Sequence, residues 1–375
     1  VTSFENFAEC PLRYYLRYGV DLKEREEFTF SPVNFGVVLH AVIREVCDEI
    51  KKNGESYYLI SEEKRREMVK RSVAAITDIY QNSILKDSSR NSFMIKRMED
   101  LADRTVWAMG EQLKCGDFVP FVFEHKFNME VGDGDRKQLM SGTIDRVDIC
   151  ENGTDVYVRI IDYKTGKKDF NIVKTYYGID IQLMVYMEAA MKLVAKMRPG
   201  KNVIPAGVFY YNISDPIVSA TTESAEEIED KIKGELRLKG MVNSDKDIAE
   251  KMDNTEGTSL NIPVSRKADG GFDSRRSKVM NTEQFNILGR FVDVRAIDTA
   301  DRIAGGDIRR SPYKDGQFSS CDRCPYGAVC GFSVDLPGCN YRKLKKFDDE
   351  VLWNNIKEGV DENGKKMDTG AEERD

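Results

Sequence analysis

Val156-Tyr157-Val158-Arg159-Ile160-Ile161-Asp162-Tyr163-Lys164-Thr165-Gly166 is an apolar, β-branched run halted by Thr-Gly, the pattern of a buried strand. A side-chain period of two sets Val158, Ile160, Asp162 and Lys164 on one face. A carboxylate and an ammonium therefore close the strand side by side, at an end expected to be exposed. Upstream, Gly142 to Ile149 reads as a second strand, and Glu151-Asn152-Gly153 as the hairpin turn joining the two. That turn brings Asp145 toward Asp162. Two carboxylates and a lysine converging at strand ends suit a divalent cation that activates water beside a phosphodiester, with the lysine steadying the developing negative charge. An isolated Asp-x-Lys is more often a solvated ion pair, so the reading depends on its company.

The 375-residue chain is 41% apolar, enough to bury a large core in one large or two moderate domains. It has no apolar run of the roughly eighteen residues that a membrane span needs. Its first residues, Val1-Thr2-Ser3-Phe4-Glu5, carry neither an initiator methionine nor a signal pattern, which reads as a segment of a longer cytoplasmic protein. The formal net charge of −7 speaks against a uniformly basic nucleic-acid coat, but not against a local basic channel. Eight cysteines are too few for a disulfide scaffold, and Cys47, Cys115, Cys150 and Cys339 have no ligand-like spacing. Cys321, Cys324 and Cys330 stand close together, and Cys10, beside Pro11, is the natural fourth member of a metal-binding set. Four thiolates suit zinc and iron-sulfur alike. Fastening Cys10 to Cys321 closes most of the chain into one loop, worth roughly 5–6 kcal/mol in the chain-entropy treatment of cross-links. That rivals the net stability of a domain, so the set reads as a structural staple.

The remaining elements follow from periodicity. Thr2 to Tyr18 reads as a helix with a Thr2/Glu5 capping box, disturbed at Pro11, and Asp21 to Phe30 as a charged, exposed stretch. A helix from Phe35-Gly36 sets Leu39, Ile43, Val46 and Ile50 on one apolar face. His40 lies one turn from Gly36; such a lone histidine is usually packed, while Gly36 leaves room for a second backbone. Residues 61–113 are helical in pattern, and Val119 to Val131 alternates as a strand. Glu124 faces away from Phe121 and Phe123, either as a solvated edge residue or as a further acid near the cation. Lys167, Lys168 and Lys174 then add positive charge, Ile179 to Val194 forms an amphipathic helix with Gln182 and Tyr186 one turn apart, and Val203 to Tyr211 forms a strand. Residues 216–280 read as an insertion that elaborates the core, followed by a helix from Asn281, with Gln284 in capping-box register, to the Gly305-Gly306 stop.

Taken together, Gly36-x-x-x-His40, Gly142-x-x-Asp145-Arg146-x-Asp148, Asp162-Tyr163-Lys164-Thr165 and Gln182-x-x-x-Tyr186 resemble, in order and spacing, the RecB-like branch of the PD-(D/E)XK nuclease superfamily. The Cys10, Cys321, Cys324, Cys330 arrangement resembles its iron-sulfur version. The long helical region, the insertion and Asp307-Ile308-Arg309-Arg310-Ser311-Pro312-Tyr313 look most like the C-terminal nuclease domain of AddB-type subunits of bacterial AddAB helicase-nucleases. The likeness covers Val1 to about Lys346.

This resemblance implies an α/β, restriction-endonuclease-like core, a mixed central sheet flanked by helices, with helical insertions and the four-cysteine staple. The expected parts are an N-terminal helix with the first cluster cysteine (1–30), the nuclease core (31–215), the insertion (216–280), a helix with the cysteine segment (281–346), and a short helix with an acidic tail disordered from Gly359 (347–375). It implies a [4Fe-4S] cluster on Cys10, Cys321, Cys324 and Cys330, and Mg²⁺ or Mn²⁺ on His40, Asp145, Asp162 and the Tyr163 carbonyl. Asp145, Asp162 and Lys164 are then catalytic, with Gln182 and Tyr186 on the active-site and DNA-contacting helix. The implied activity is metal-dependent exonucleolytic hydrolysis of single-stranded DNA from an unwound duplex, in double-strand-break processing for recombinational repair. The implied partner is an AddA-type helicase-nuclease subunit, in the cytoplasm and away from membranes. No G-x-x-x-x-G-K-[ST] motif occurs, so the motor is expected elsewhere. Two other readings stay open: a free-standing CRISPR-associated nuclease of the same branch, and a non-catalytic metal-stapled DNA-binding or scaffold module.

Overall fold

A computed structural model of the protein describes residues 1–23, 32–79, 89–132, 134–219 and 224–372. Its N-terminal part is helical: α1 (Thr2–Glu9), α2 (Pro11–Tyr14), α3 (Pro32–Lys52), α4 (Glu62–Ile79) and α5 (Ser89–Lys114). Most of the charged stretch expected near Asp21 to Phe30 lies outside the described residues. Three strands follow, β1 (Val119–Val131), β2 (Gln138–Asn152) and β3 (Asp155–Lys164), then α6 (Ile172–Tyr176), α7 (Gln182–Met197) and β4 (Asn202–Asn212). The stretch β1-β2-β3 is an antiparallel meander, whereas β3 and β4 are parallel. Parallel neighbours need a crossover, and α7 supplies it.

Both faces of β3 are covered, which explains its unbroken apolar run. Tyr157, Ile161 and Tyr163 pack with Leu39 and Val42 of α3, Val69 of α4 and Val106 of α5. Val156, Val158 and Ile160 pack with Leu183 and Ala190 of α7 and with Leu288 of α10 (Thr282–Ala304). Full burial of side chains of this size contributes about 1.5–3 kcal/mol each. Asp162 and Lys164 follow the same alternation onto the α7 face.

One expectation gains detail and two change. The stretch read as an insertion contains α8 (Ala225–Glu235), β5 (Lys239–Asn243), α9 (Lys246–Met252) and β6 (Val279–Met280), and β5 pairs with β4 to extend the mixed sheet to six strands. Its Leu238, Val242, Ile248 and Val264 enter the core, so the stretch elaborates the core by lengthening the sheet. The stretch read as a disordered tail continues as α12 (Asp349–Glu372). Leu352 and Ile356 seat it on α10, and a Cβ at Gly359 would lie 2.8 Å from the Phe291 ring, so that glycine permits close packing. Finally, α1 has Val1 at its N-cap and no side-chain cap, because Glu5 is directed to another helix. The α10 capping box of Asn281 and Gln284 forms as expected.

The chain ends meet. A small sheet of β7 (Tyr313–Asp315), β8 (Phe318–Ser319) and β9 (Arg342–Lys343), together with α11 (Gly327–Cys330), lies against the N-terminal helices. Leu12 N–H donates to Arg309 O at 3.2 Å, Ser320 Oγ to Glu9 O at 3.3 Å, Arg342 Nη2 to Glu9 O at 3.1 Å and Tyr326 Oη to Leu22 O at 3.0 Å.

Candidate active site

The β2–β3 ladder runs from Asn152–Asp155 to Arg146–Ile161 and then opens. Beyond the opening the Tyr163 N–H donates to Asp145 Oδ2 at 2.6 Å, a carboxylate standing where a sheet would place a carbonyl. On the other side of β2, Phe123 pairs with Arg146 and His125 with Ile144, which puts Glu124 opposite Asp145. Glu124 has φ of 50°, the left-handed region, unusual for a non-glycine residue inside a strand and costing about 1–3 kcal/mol. From α3, His40 Nδ1 reaches to 3.3 Å from Asp145 Oδ1 and 3.9 Å from Glu124 Oε1. Donor atoms of His40, Glu124 and Asp145 all lie within 4.8 Å of one another, the closest such group among the described residues.

Asp162 stands beside this group and is only 2% exposed, not at an exposed end as the sequence suggested, because α7 covers this face of β3. The Lys164 ammonium contacts Asp162 Oδ2. Gln182, at the start of α7, organises the pair: its Oε1 accepts from Lys164 Nζ at 3.1 Å, and its Nε2 lies 3.2 Å from Asp162 Oδ1 and 2.9 Å from Tyr186 Oη. Tyr186 in turn fits against Gly142, where a Cβ would come within 2.9 Å of its ring and 2.8 Å of Phe127. A Cβ at Gly36 would meet the Thr165 side chain at 3.5 Å, not a second backbone.

Charge is crowded here. Burial, and then the Asp145 carboxylate, push the Asp162 carboxyl up to about 7 against the pull of Lys164. Burial and Asp145 likewise raise Glu124. Burial works against the imidazolium of His40, but Asp145, Glu124 and Asp162 outweigh it and the net shift is upward. Lys164 follows the same logic, with burial outweighed chiefly by Asp162. Carboxylates gathered with too little positive charge suit an added cation. The donor atoms of His40, Glu124 and Asp145 converge beside the buried Asp162, and one imidazole with three carboxylates is a hard oxygen and nitrogen donor set, so the residues fit Mg²⁺ or Mn²⁺.

Beneath the opening lies a buried ionic triad. Asp148 accepts from Arg146 Nε at 2.7 Å and Nη2 at 2.6 Å, and from Arg159 Nε at 2.8 Å. Burial opposes the Asp148 carboxylate, but the two guanidiniums hold it below its ordinary range. The Asp148 of the sequence motif is thus a structural clamp across β2 and β3.

The structure brings His40, Asp145, Asp162, Lys164, Gln182 and Tyr186 into one neighbourhood, with the Tyr163 backbone between Asp162 and Lys164. The sequence left Glu124 open; its alternation in β1 was the available signal. It misassigned Glu5, whose oxygen Oε1 accepts from the Ile181 and Gln182 N–H groups at 3.0 Å each, a contact without any local signature. Cys10, Cys321, Cys324 and Cys330 line one cavity and none of them is in a disulfide.

Residues 1–331 match the PD-(D/E)XK nuclease superfamily. Among curated proteins, an ATP-dependent helicase/deoxyribonuclease subunit of Thermoanaerobacter sp. (strain X514) is 33% identical over 379 residues, covering 98% of this chain and 33% of the relative. The protein of the same name from Caldanaerobacter subterraneus subsp. tengcongensis is 34% identical over 386 residues, covering 100% and 33%. That of Clostridium acetobutylicum is 34% identical over 374 residues, covering 97% and 32%. The chain spans about a third of the length of the curated relatives it matches.

Proposed function

The chain belongs to the PD-(D/E)XK nuclease superfamily, and from that premise we propose that it is a Mg²⁺- or Mn²⁺-dependent exonuclease module acting on single-stranded DNA. The observation that carries this reading is the opening of the β2–β3 ladder, where Asp145 and Asp162 face a histidine on one side and a lysine on the other. His40, Asp145, Asp162 and the Tyr163 carbonyl, with Glu124 beside them, would hold the metal, which would supply Lewis-acid activation of water and of the phosphate. Lys164 orients the attacking water or compensates the charge that develops on the phosphoryl oxygens. Gln182 fixes Lys164 and Asp162 relative to each other, and Tyr186 anchors Gln182.

The relatives' name joins a helicase to a deoxyribonuclease. In this reading the substrate is the strand released by unwinding, gripped through its phosphates by local lysines and arginines during double-strand-break processing. The partner is an AddA-type helicase-nuclease subunit. No helix among the described residues is long and apolar enough to cross a membrane. The setting proposed is the cytoplasm.

The four cysteines would hold a [4Fe-4S] cluster. What supports this reading is their convergence on one cavity from opposite ends of the chain, Cys10 from the first helices and the other three from the segment around α11. Thiolates are the ligands such a cluster takes. Its role would be to fasten the two chain ends already in contact.

The test is cleavage of an end-labelled single-stranded oligonucleotide with Mg²⁺, with Mn²⁺ or with EDTA. Shortening in either metal and none in EDTA is expected. Tight binding with no cleavage under any of the three conditions would replace the enzyme with a metal-stapled DNA-binding module.

A further inference from the structure

Helix α7 begins at Gln182 with Ile181 at its N-cap, and Ile181 offers no side chain to the free N–H groups of the first turn. Those donors would cost free energy if left unpaired away from water. Glu5, from α1, meets the need across the molecule: its Oε1 accepts from both Ile181 N–H and Gln182 N–H. A carboxylate at a helix N-terminus is also favoured by the helix dipole. The backbone it seats belongs to the residue whose side chain bridges Asp162, Lys164 and Tyr186. The same helix α1 runs directly into Cys10, which closes it by donating its N–H to Asn6 O at 3.1 Å.

We propose that Glu5 is a positioning residue for the nuclease reaction: by seating the first turn of α7 it sets the Gln182 side chain between Asp162 and Lys164, and through α1 it ties that setting to the cysteine-bearing end of the domain. The inference rests on the nuclease reading of the site. It makes Glu5 act through Gln182, without contact with substrate. Misplacing a catalytic group by about 1 Å can cost on the order of 100-fold in rate.

The experiment compares Glu5→Ala, Glu5→Asp and Glu5→Gln with wild type in the intact protein, measuring kcat and KM on single-stranded DNA and hydrogen exchange at residues 179–187. Asn281→Ala, which removes the cap of α10 away from the site, controls for loss of a helix cap as such. Glu5→Gln keeps an oxygen acceptor and should stay within about threefold of wild type. Glu5→Ala should lose about 30-fold or more in kcat with KM little changed, and should speed exchange at the start of α7. Glu5→Asp keeps the carboxyl but withdraws it by one methylene, and should fall between them, so the Asp–Gln contrast decides the matter if Glu5→Ala does not fold. Full activity in Glu5→Ala, equal activity in Glu5→Asp and Glu5→Gln, or an equal kcat loss in Asn281→Ala would each overturn the proposal. Wild-type protein that never cleaves would overturn the nuclease reading itself, and with it the positioning role, while leaving the exchange result as evidence of the cap alone.

Discussion

At the scale of the residue, the site is built from groups held where their own preferences disfavour them. Glu124 occupies a left-handed backbone conformation, and the Asp162 carboxyl is buried beside a second carboxylate. Both costs are offset if a cation resides among them. Asp162→Ala and Lys164→Ala should each reduce cleavage by about 100-fold or more at saturating Mg²⁺, with the folded state retained on circular dichroism; activity within tenfold of wild type in both would remove them from the chemistry. His40→Ala and Glu124→Gln should weaken Mn²⁺ binding in a calorimetric titration with little change in Tm. A large fall in Tm at unchanged affinity would instead make His40 an ordinary packed histidine.

At the scale of the element, two contacts hold the frame. The Arg146–Asp148–Arg159 triad crosses from β2 to β3 next to the point where they part. Asp148→Ala leaves two buried guanidiniums uncompensated, and urea denaturation should show a loss of about 3–5 kcal/mol. Between α7 and α10, Asp293 is pushed up to about 8 by burial and by the Glu188 carboxyl. An unfolded aspartate titrates near 4, so between about pH 4 and 8 the folded state binds more protons, and this group's contribution to stability falls as pH rises through that window. Asp293→Asn should abolish that decline and raise Tm by about 3 °C at pH 8.5, with little effect at pH 4. A wild-type Tm profile unaltered by the substitution would show that the pair is solvated.

At the scale of the whole molecule, the chain closes on itself through Arg342, Ser320 and Tyr326 before any metal is considered. A cluster on the cysteines would add its constraint to an existing contact. Cys10→Ala should then lower Tm as much as Cys324→Ala, despite their separation in sequence, and both should lose the about four iron and four sulfide expected per chain. Cys47 packs in the core with its Sγ 3.9 Å from Met109 Sδ, and Cys47→Ala should cost only about 1 kcal/mol and leave iron content unchanged. One zinc per chain and no iron would exchange the cluster for a zinc site. Wild-type stability in Cys10→Ala would remove Cys10 from the set.

The sequence by itself determined strands β1 to β4, the hairpin and the approach of Asp145 to Asp162, because strand alternation and turn chemistry are local and β3 pairs with β2 across a short turn. It also determined the order of the motifs that mark the family, and the α10 capping box, whose partners are three residues apart. Tertiary structure decided what depends on distant partners. It turned Glu5 from its own helix to α7, set Glu124 against His40, and buried Asp162 under a helix that begins well beyond it. It also drew β5 and β6 into the sheet, since an edge such as β4 is completed by whichever strand reaches it, and no local period announces which one will.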